Sequence, residues 1–178
     1  LKWLTNLNGT LLFSTRSNSS GGKLGKSDGT SAGTSVLAEF HTPPFYGSDQ
    51  GSVNYLTVVN STAFFSAYDH PSGNMLWKTD GTLGGTSLVS QITAYATQGS
   101  FTEDGDDFNF WRMTNANGTL YFSGMRYGAY DTALELWKSD GTDSGTVLVR
   151  NINQTLNHSS SISNMGAIGS RVFFGADD

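Results

Sequence analysis

The sequence predicts an all-β chain built of β-propeller-type four-stranded antiparallel blades. There are about three and a half repeats, as an open or partial array or one completed by other chain segments. Three observations carry this reading. Two unlike elements recur in a fixed order along the 178 residues. Each has the form of a hairpin, with apolar or aromatic strands around an Asn-Gly or Asp-Gly turn. No stretch shows the 3.6-residue apolar periodicity of a helix. A four-stranded unit recurring at roughly 40 to 50 residues is the pattern of a propeller blade, which buries its faces only against neighbours.

The first element opens the chain as Leu4-Thr5-Asn6-Leu7-Asn8-Gly9-Thr10-Leu11-Leu12-Phe13-Ser14. It returns at Leu56 through Asn60-Ser61-Thr62-Ala63-Phe64-Phe65-Ser66, and at Met113 through Asn117-Gly118-Thr119-Leu120-Tyr121-Phe122-Ser123. A fourth copy runs from Met165 through Gly169-Ser170-Arg171-Val172-Phe173-Phe174-Gly175, so the leading residues stand 52, 57 and 52 apart. Asn-Gly suits a type I′ turn, because both central positions take positive φ. Asn60-Ser61 is a poorer version, and Gly169-Ser170 suits type II′.

The second element follows each full copy of the first. Leu24-Gly25-Lys26-Ser27-Asp28-Gly29-Thr30 with Gly33-Thr34 becomes Leu76-Trp77-Lys78-Thr79-Asp80-Gly81-Thr82 with Gly85-Thr86. It becomes Leu136-Trp137-Lys138-Ser139-Asp140-Gly141-Thr142 with Gly145-Thr146 in the third. The shared frame is L-x-K-[ST]-D-G-T-x-x-G-T. Here Asp accepts backbone N–H bonds locally, Gly takes the left-handed conformation, the first Thr acts as Asp does but more weakly, and the second Gly-Thr opens the return strand. Asp28, Gly29, Thr30, Asp80, Gly81, Thr82, Asp140, Gly141 and Thr142 are thus structural turn residues; a catalytic or metal role calls for one site, not three copies. The chain reads as a single array over 1–178, with units at approximately 1–52, 53–109, 110–161 and a partial 162–178. Trp77 and Trp137 read as packing between repeats, together with Phe64-Phe65, Tyr121-Phe122 and Phe173-Phe174.

Glu135-Leu136-Trp137-Lys138-Ser139-Asp140-Gly141-Thr142 resembles, letter for letter, the motif of the ELWxxDGT repeat family of secreted or surface-displayed proteins. Met75 replaces the Glu in the second copy, and Lys23 and Gly25 replace Glu and Trp in the first. That resemblance covers nearly the whole chain. It implies propeller-like blades in an extracellular or cell-surface setting, and it implies no enzymatic activity.

Composition narrows the function. The chain has no Cys, 22 Gly, 3 Pro and 43 Ser plus Thr, with 14% charged residues against about 25% in an average domain. Without Cys there is neither a disulfide framework nor a thiolate metal site. Aromatic residues make up 12%, enough apolar area to argue against disorder. The net charge is −5 and the ten Lys and Arg are scattered, so no basic stripe points to nucleic acid. No apolar run approaches the roughly 20 residues of a membrane span, and Leu1-Lys2-Trp3-Leu4 does not read as a secretory leader.

Six N-x-S/T sequons mark Asn8, Asn18, Asn60, Asn117, Asn153 and Asn157 as glycosylation candidates. Asn8, Asn60 and Asn117 share one repeat position, the tip of the first hairpin. The Glu103-Asp104-Gly105-Asp106-Asp107 segment makes Asp104, Asp106 and Asp107 weak Ca²⁺ candidates, although it lacks the spacing of a calcium loop; otherwise no cofactor is expected. His41, His70 and His158 have no metal-pair spacing, and no nucleophile elbow or phosphate loop appears. The expectation is a non-enzymatic extracellular structural or adhesive repeat protein, an N-glycosylated surface or fibril subunit that self-associates with other copies or segments of its kind. The alternative is a carbohydrate-binding propeller using Tyr46, Tyr95, Phe108, Phe110 and Trp111. A propeller glycoside hydrolase is the minor alternative, with no carboxylate pair to nominate.

Overall fold

The computed structural model describes residues 3–17, 21–40, 53–69, 73–93, 112–126, 134–153, 160 and 162–177. Among these it holds fourteen β-strands and no helix. Repeat 1 contains β1 (Leu4–Leu7), β2 (Thr10–Ser17), β3 (Gly21–Ser27) and β4 (Ser35–Phe40). Repeat 2 contains β5 (Val53–Val59), β6 (Thr62–Asp69), β7 (Gly73–Thr79) and β8 (Ser87–Thr93). Repeat 3 contains β9 (Met113–Ala116), β10 (Thr119–Arg126), β11 (Glu135–Ser139) and β12 (Val147–Arg150), and repeat 4 contains β13 (Ser163–Ile168) and β14 (Arg171–Gly175). Each full repeat is an antiparallel sheet in chain order, and β13–β14 is a two-stranded sheet. The chain divides into two compact units, Leu1–Gln91 and Ile92–Asp178.

One register recurs. In repeat 1 Leu12, Phe13 and Ser14 face Lys26, Gly25 and Leu24. In repeat 2 Phe64, Phe65 and Ser66 face Lys78, Trp77 and Leu76, and in repeat 3 Tyr121, Phe122 and Ser123 face Lys138, Trp137 and Leu136. Register is set by the turns, because a one-residue slip would move every side chain to the opposite face. At the first-hairpin tips Asn8 and Gly9 have φ of 50° and 88°, and Asn117 and Gly118 have 49° and 82°, the two positive values of a type I′ turn. Asn60 at 54° and Gly169 at 60° are each followed by a serine outside that region, the pattern of type II′.

The core of the first unit shows how two repeats fit. In-register partners share a face of a sheet, so Leu7, Leu12, Leu24, Ala38 and Phe40 lie on one side of repeat 1, here its forward face. On the rear face of repeat 2 lie Val53, Val58, Ala63, Phe65, Ala67 and Trp77. These two sets form a single buried cluster, joined by Leu37 at the β3–β4 bulge. Phe40 meets Phe65 and Trp77 edge-on, with ring centroids 5.7 and 5.1 Å apart. Trp3 adds a contact at the sheet ends, its indole N–H donating to Asn54 Oδ1 at 3.2 Å and its ring 4.9 Å from Tyr55. Tyr55 reaches it from a bulge where its own φ is +60°, and Asn164 repeats that conformation in the bulge of β13.

In the second unit Leu120, Phe122, Leu136, Trp137 and Ile162 are buried. Trp137 donates its indole N–H to the Gly124 carbonyl at 2.8 Å, so it packs and is also satisfied. Repeat 1 has no tryptophan at this position. There Phe13 lies across Gly25, where a β-carbon would sit 2.6 Å from the ring, so glycine makes room for the phenyl group.

Candidate functional site

The [ST]-D-G-T-x-x-G-T turn is the most elaborate polar constellation of the described residues, and it is built three times. Asp28 Oδ1 accepts from the backbone N–H and the hydroxyl of Thr30, at 2.9 and 2.8 Å. Asp80 does the same with Thr82 at 2.8 and 2.7 Å, and Asp140 with Thr142 at 2.8 Å for both. The Thr30 and Thr142 hydroxyls in turn accept from the N–H of Gly33 and Gly145, each at 2.9 Å. The residue before the Asp caps the glycine after it. Ser27 Oγ, Thr79 Oγ1 and Ser139 Oγ accept from Gly29, Gly81 and Gly141 N–H at 3.0, 3.1 and 3.0 Å. The same three oxygens pair with the last threonine, Thr34, Thr86 and Thr146, at 2.7, 3.0 and 2.8 Å.

Each letter of the motif therefore has a mechanical reason. Gly29, Gly81 and Gly141 stand at φ of 94°, 86° and 94°, where a β-carbon is disfavoured. The second glycine is required for space instead. A β-carbon on Gly33, Gly85 or Gly145 would lie 2.0, 1.8 or 2.0 Å from the Asp carboxylate oxygen. That Gly-Thr pair lies within the turn, and the return strands begin one residue later, at Ser35, Ser87 and Val147. Electrostatically the turn favours the ionised acid. The Thr30 backbone and then its hydroxyl hold Asp28 below the ordinary carboxylate value of 3.8. For Asp80 the Thr82 hydroxyl leads and its backbone follows.

The hairpin tips place the first sequons in solvent. Asn8, Asn60 and Asn117 are all exposed. In repeats 1 and 3 the tip is held from below, as Asn6 Oδ1 and Asn115 Oδ1 accept from Gly9 and Gly118 N–H at 2.8 and 2.9 Å. Asn153 is half-buried, and its N–H donates to Ser160 Oγ at 3.4 Å. Asn18 and Asn157 lie outside the described residues. So do Asp104, Asp106 and Asp107, the loop aromatics Tyr46, Tyr95, Phe108, Phe110 and Trp111, and the three histidines.

One buried group is not announced by the motif. Glu135, 4% exposed, accepts at Oε2 from the Ile152 N–H at 2.9 Å and from the Ser160 hydroxyl. Ser160 is fully buried, and its own N–H donates to the Leu134 carbonyl at 3.2 Å while its carbonyl accepts from Asp177 N–H at 2.7 Å. Glu135 and Ser160 thus fasten the segment after β12 and the end of β14 to the start of β11. Met75, at the position of Glu135 in repeat 2, is buried as a hydrophobe. Lys23, in repeat 1, is paired with Glu39 at 2.7 Å. The three residue types make three different local solutions, so the Glu is particular to repeat 3.

Among the described residues, no group of three or more His, Cys, Asp or Glu side chains is placed to hold a metal ion. Set against models of protein families, curated proteins and solved structures, the chain matches none.

Proposed function

We propose that the chain is a non-enzymatic, extracellular structural or adhesive repeat protein. On this reading its sheets are blades of the β-propeller type, its hairpin tips carry N-glycans, and it associates with other copies or segments of the same repeat protein. The observation that carries the reading is the threefold recurrence of one complete turn network, at Asp28, Asp80 and Asp140, in sheets of one register. The polar side chains of that motif bond to one another and to their own backbone, which is how a chain invests in a repeated architectural part. The exposed Asn8, Asn60 and Asn117 support an extracellular setting, as does the resemblance to ELWxxDGT repeats. The test is immunogold labelling of intact source cells, with mass measured before and after amidase deglycosylation. Label on the outer surface and a fall in mass are expected; label found only in permeabilised cells overturns the reading.

A further inference from the structure

Exposed apolar side chains are not scattered over this chain. Of the large hydrophobic residues that are exposed, Leu83, Leu88, Val147, Leu148 and Val149 lie in a turn or on the outermost strand of a sheet. Leu4, Leu11 and Val36 share the rear face of repeat 1, where Leu4 faces Phe13, Leu11 faces Asn6 and Val36 faces Gly25 across the strands. The remaining two, Ile168 and Phe173, occupy the forward positions of repeat 4.

Register makes the comparison quantitative. Ile168 pairs with Arg171 as Leu7 pairs with Thr10, and Phe173 pairs with Gly166 as Leu12 pairs with Thr5. Leu7 and Leu12, set against the rear face of repeat 2, are 3% and 0% exposed, whereas Ile168 and Phe173 are 75% and 54% exposed. On the other side, Leu11 occupies the position that Ala63 holds in repeat 2. Ala63 is fully buried against repeat 1, and Leu11 is 39% exposed. One forward face and one rear face are therefore open, each with apolar residues where the internal contact has them.

We propose that the forward face of repeat 4 in one copy stacks on the rear face of repeat 1 in a second copy, as repeat 1 stacks on repeat 2 within the chain. The partner is a second copy because its rear face already matches this forward face position for position. Ile168 and Phe173 enter where Leu7 and Leu12 enter, against Leu4, Leu11 and Phe13 in the places of Leu56, Ala63 and Phe65. The two surfaces differ, so the contact is heterologous, and successive copies add head to tail. This rests on the self-association proposed above and names its surfaces.

The experiment uses the full chain, wild type and two single-face variants, Phe173→Asp and Leu11→Asp, in sedimentation over a concentration series. Both sites are exposed, and circular dichroism checks the strand content. Ile168→Asp and Leu4→Asp replace any variant that loses it. Wild type is expected to grow in mass beyond a dimer, and each variant alone to stay monomeric. An equimolar mixture of the two variants is expected to stop at a dimer, since it holds one intact face of each kind. Wild type that stays monomeric up to about 1 mM, where even a millimolar contact is substantially formed, overturns both this inference and the self-association. Variants that associate as wild type does, or a mixture that stays monomeric, overturn the face assignment and leave self-association standing.

Discussion

Gly85→Ala isolates the steric logic of the repeated turn. An added β-carbon would stand 1.8 Å from Asp80 Oδ1, 2.3 Å from Cγ and 2.6 Å from Oδ2, all well inside van der Waals contact. Gly85 is not among the residues with positive φ, so alanine meets no backbone penalty there. The carboxylate must swing away and release the Thr82 N–H and hydroxyl that it accepts. Overpacking of this kind costs about 1–3 kcal/mol, read as a lower urea midpoint with an unchanged slope. Gly84→Ala is the control, since its β-carbon has open space, and it should shift stability by less than about 0.5 kcal/mol. The decisive measurement repeats Gly85→Ala in an Asp80→Ala background, where the obstacle is gone and the cost should largely vanish. An equal cost in both backgrounds would refute the argument, because contacting residues must couple.

Acid should weaken the turns in a defined direction. Asp28 and Asp80 are held below 3.8 in the folded chain, so their stabilisation is complete above the unfolded carboxylate value and is lost as pH falls through the folded one. Asp28→Asn with Asp80→Asn should flatten the fall in stability below about pH 4, as followed by thermal melts; an unchanged acid limb would count against the hydrogen bonds. Glu135→Ala leaves the Ile152 N–H and the Ser160 hydroxyl without their acceptor and should cost about 1–3 kcal/mol, measured by denaturant unfolding. Glu135→Gln should recover part of that, since an amide oxygen can still accept. At the tips, Asn117→Ala should cost about 1 kcal/mol or more for a left-handed alanine, whereas Asn117→Gly should keep stability while removing one glycan from the mass spectrum.

What could be read from the chain alone was its local chemistry. Asn-Gly and Asp-Gly turns declare themselves because positive φ is a property of one or two residues, and the difference between Asn8-Gly9 and Gly169-Ser170 follows from which of the pair tolerates it. The second glycine of each turn was visible as a recurring letter, but its cause is a contact with an Asp five residues earlier, which periodicity does not encode. Glu135 was legible only as part of a motif. Its partners at Ile152 and Ser160 lie 17 and 25 residues away, brought near by the course of the chain after β12. The bulge that places Tyr55 at φ of +60° beside Trp3 has no local signature either, since tyrosine is a poor left-handed residue and is held there by its surroundings.

The closed wiring of the turn bears on how such a chain can lengthen. Its donors and acceptors lie almost wholly within one short stretch of sequence, so a tandem duplication copies a corner whose shape needs little from the new neighbours. Selection on the copied segment then falls on the strand faces that must meet the next sheet, and the corner itself can stay as it was. That matches the pattern in the three copies, where Ser-Asp-Gly-Thr or Thr-Asp-Gly-Thr persists while the residue between Leu and Lys ranges from glycine to tryptophan. Growth by duplication requires a part that is complete before its surroundings are, and this corner is such a part.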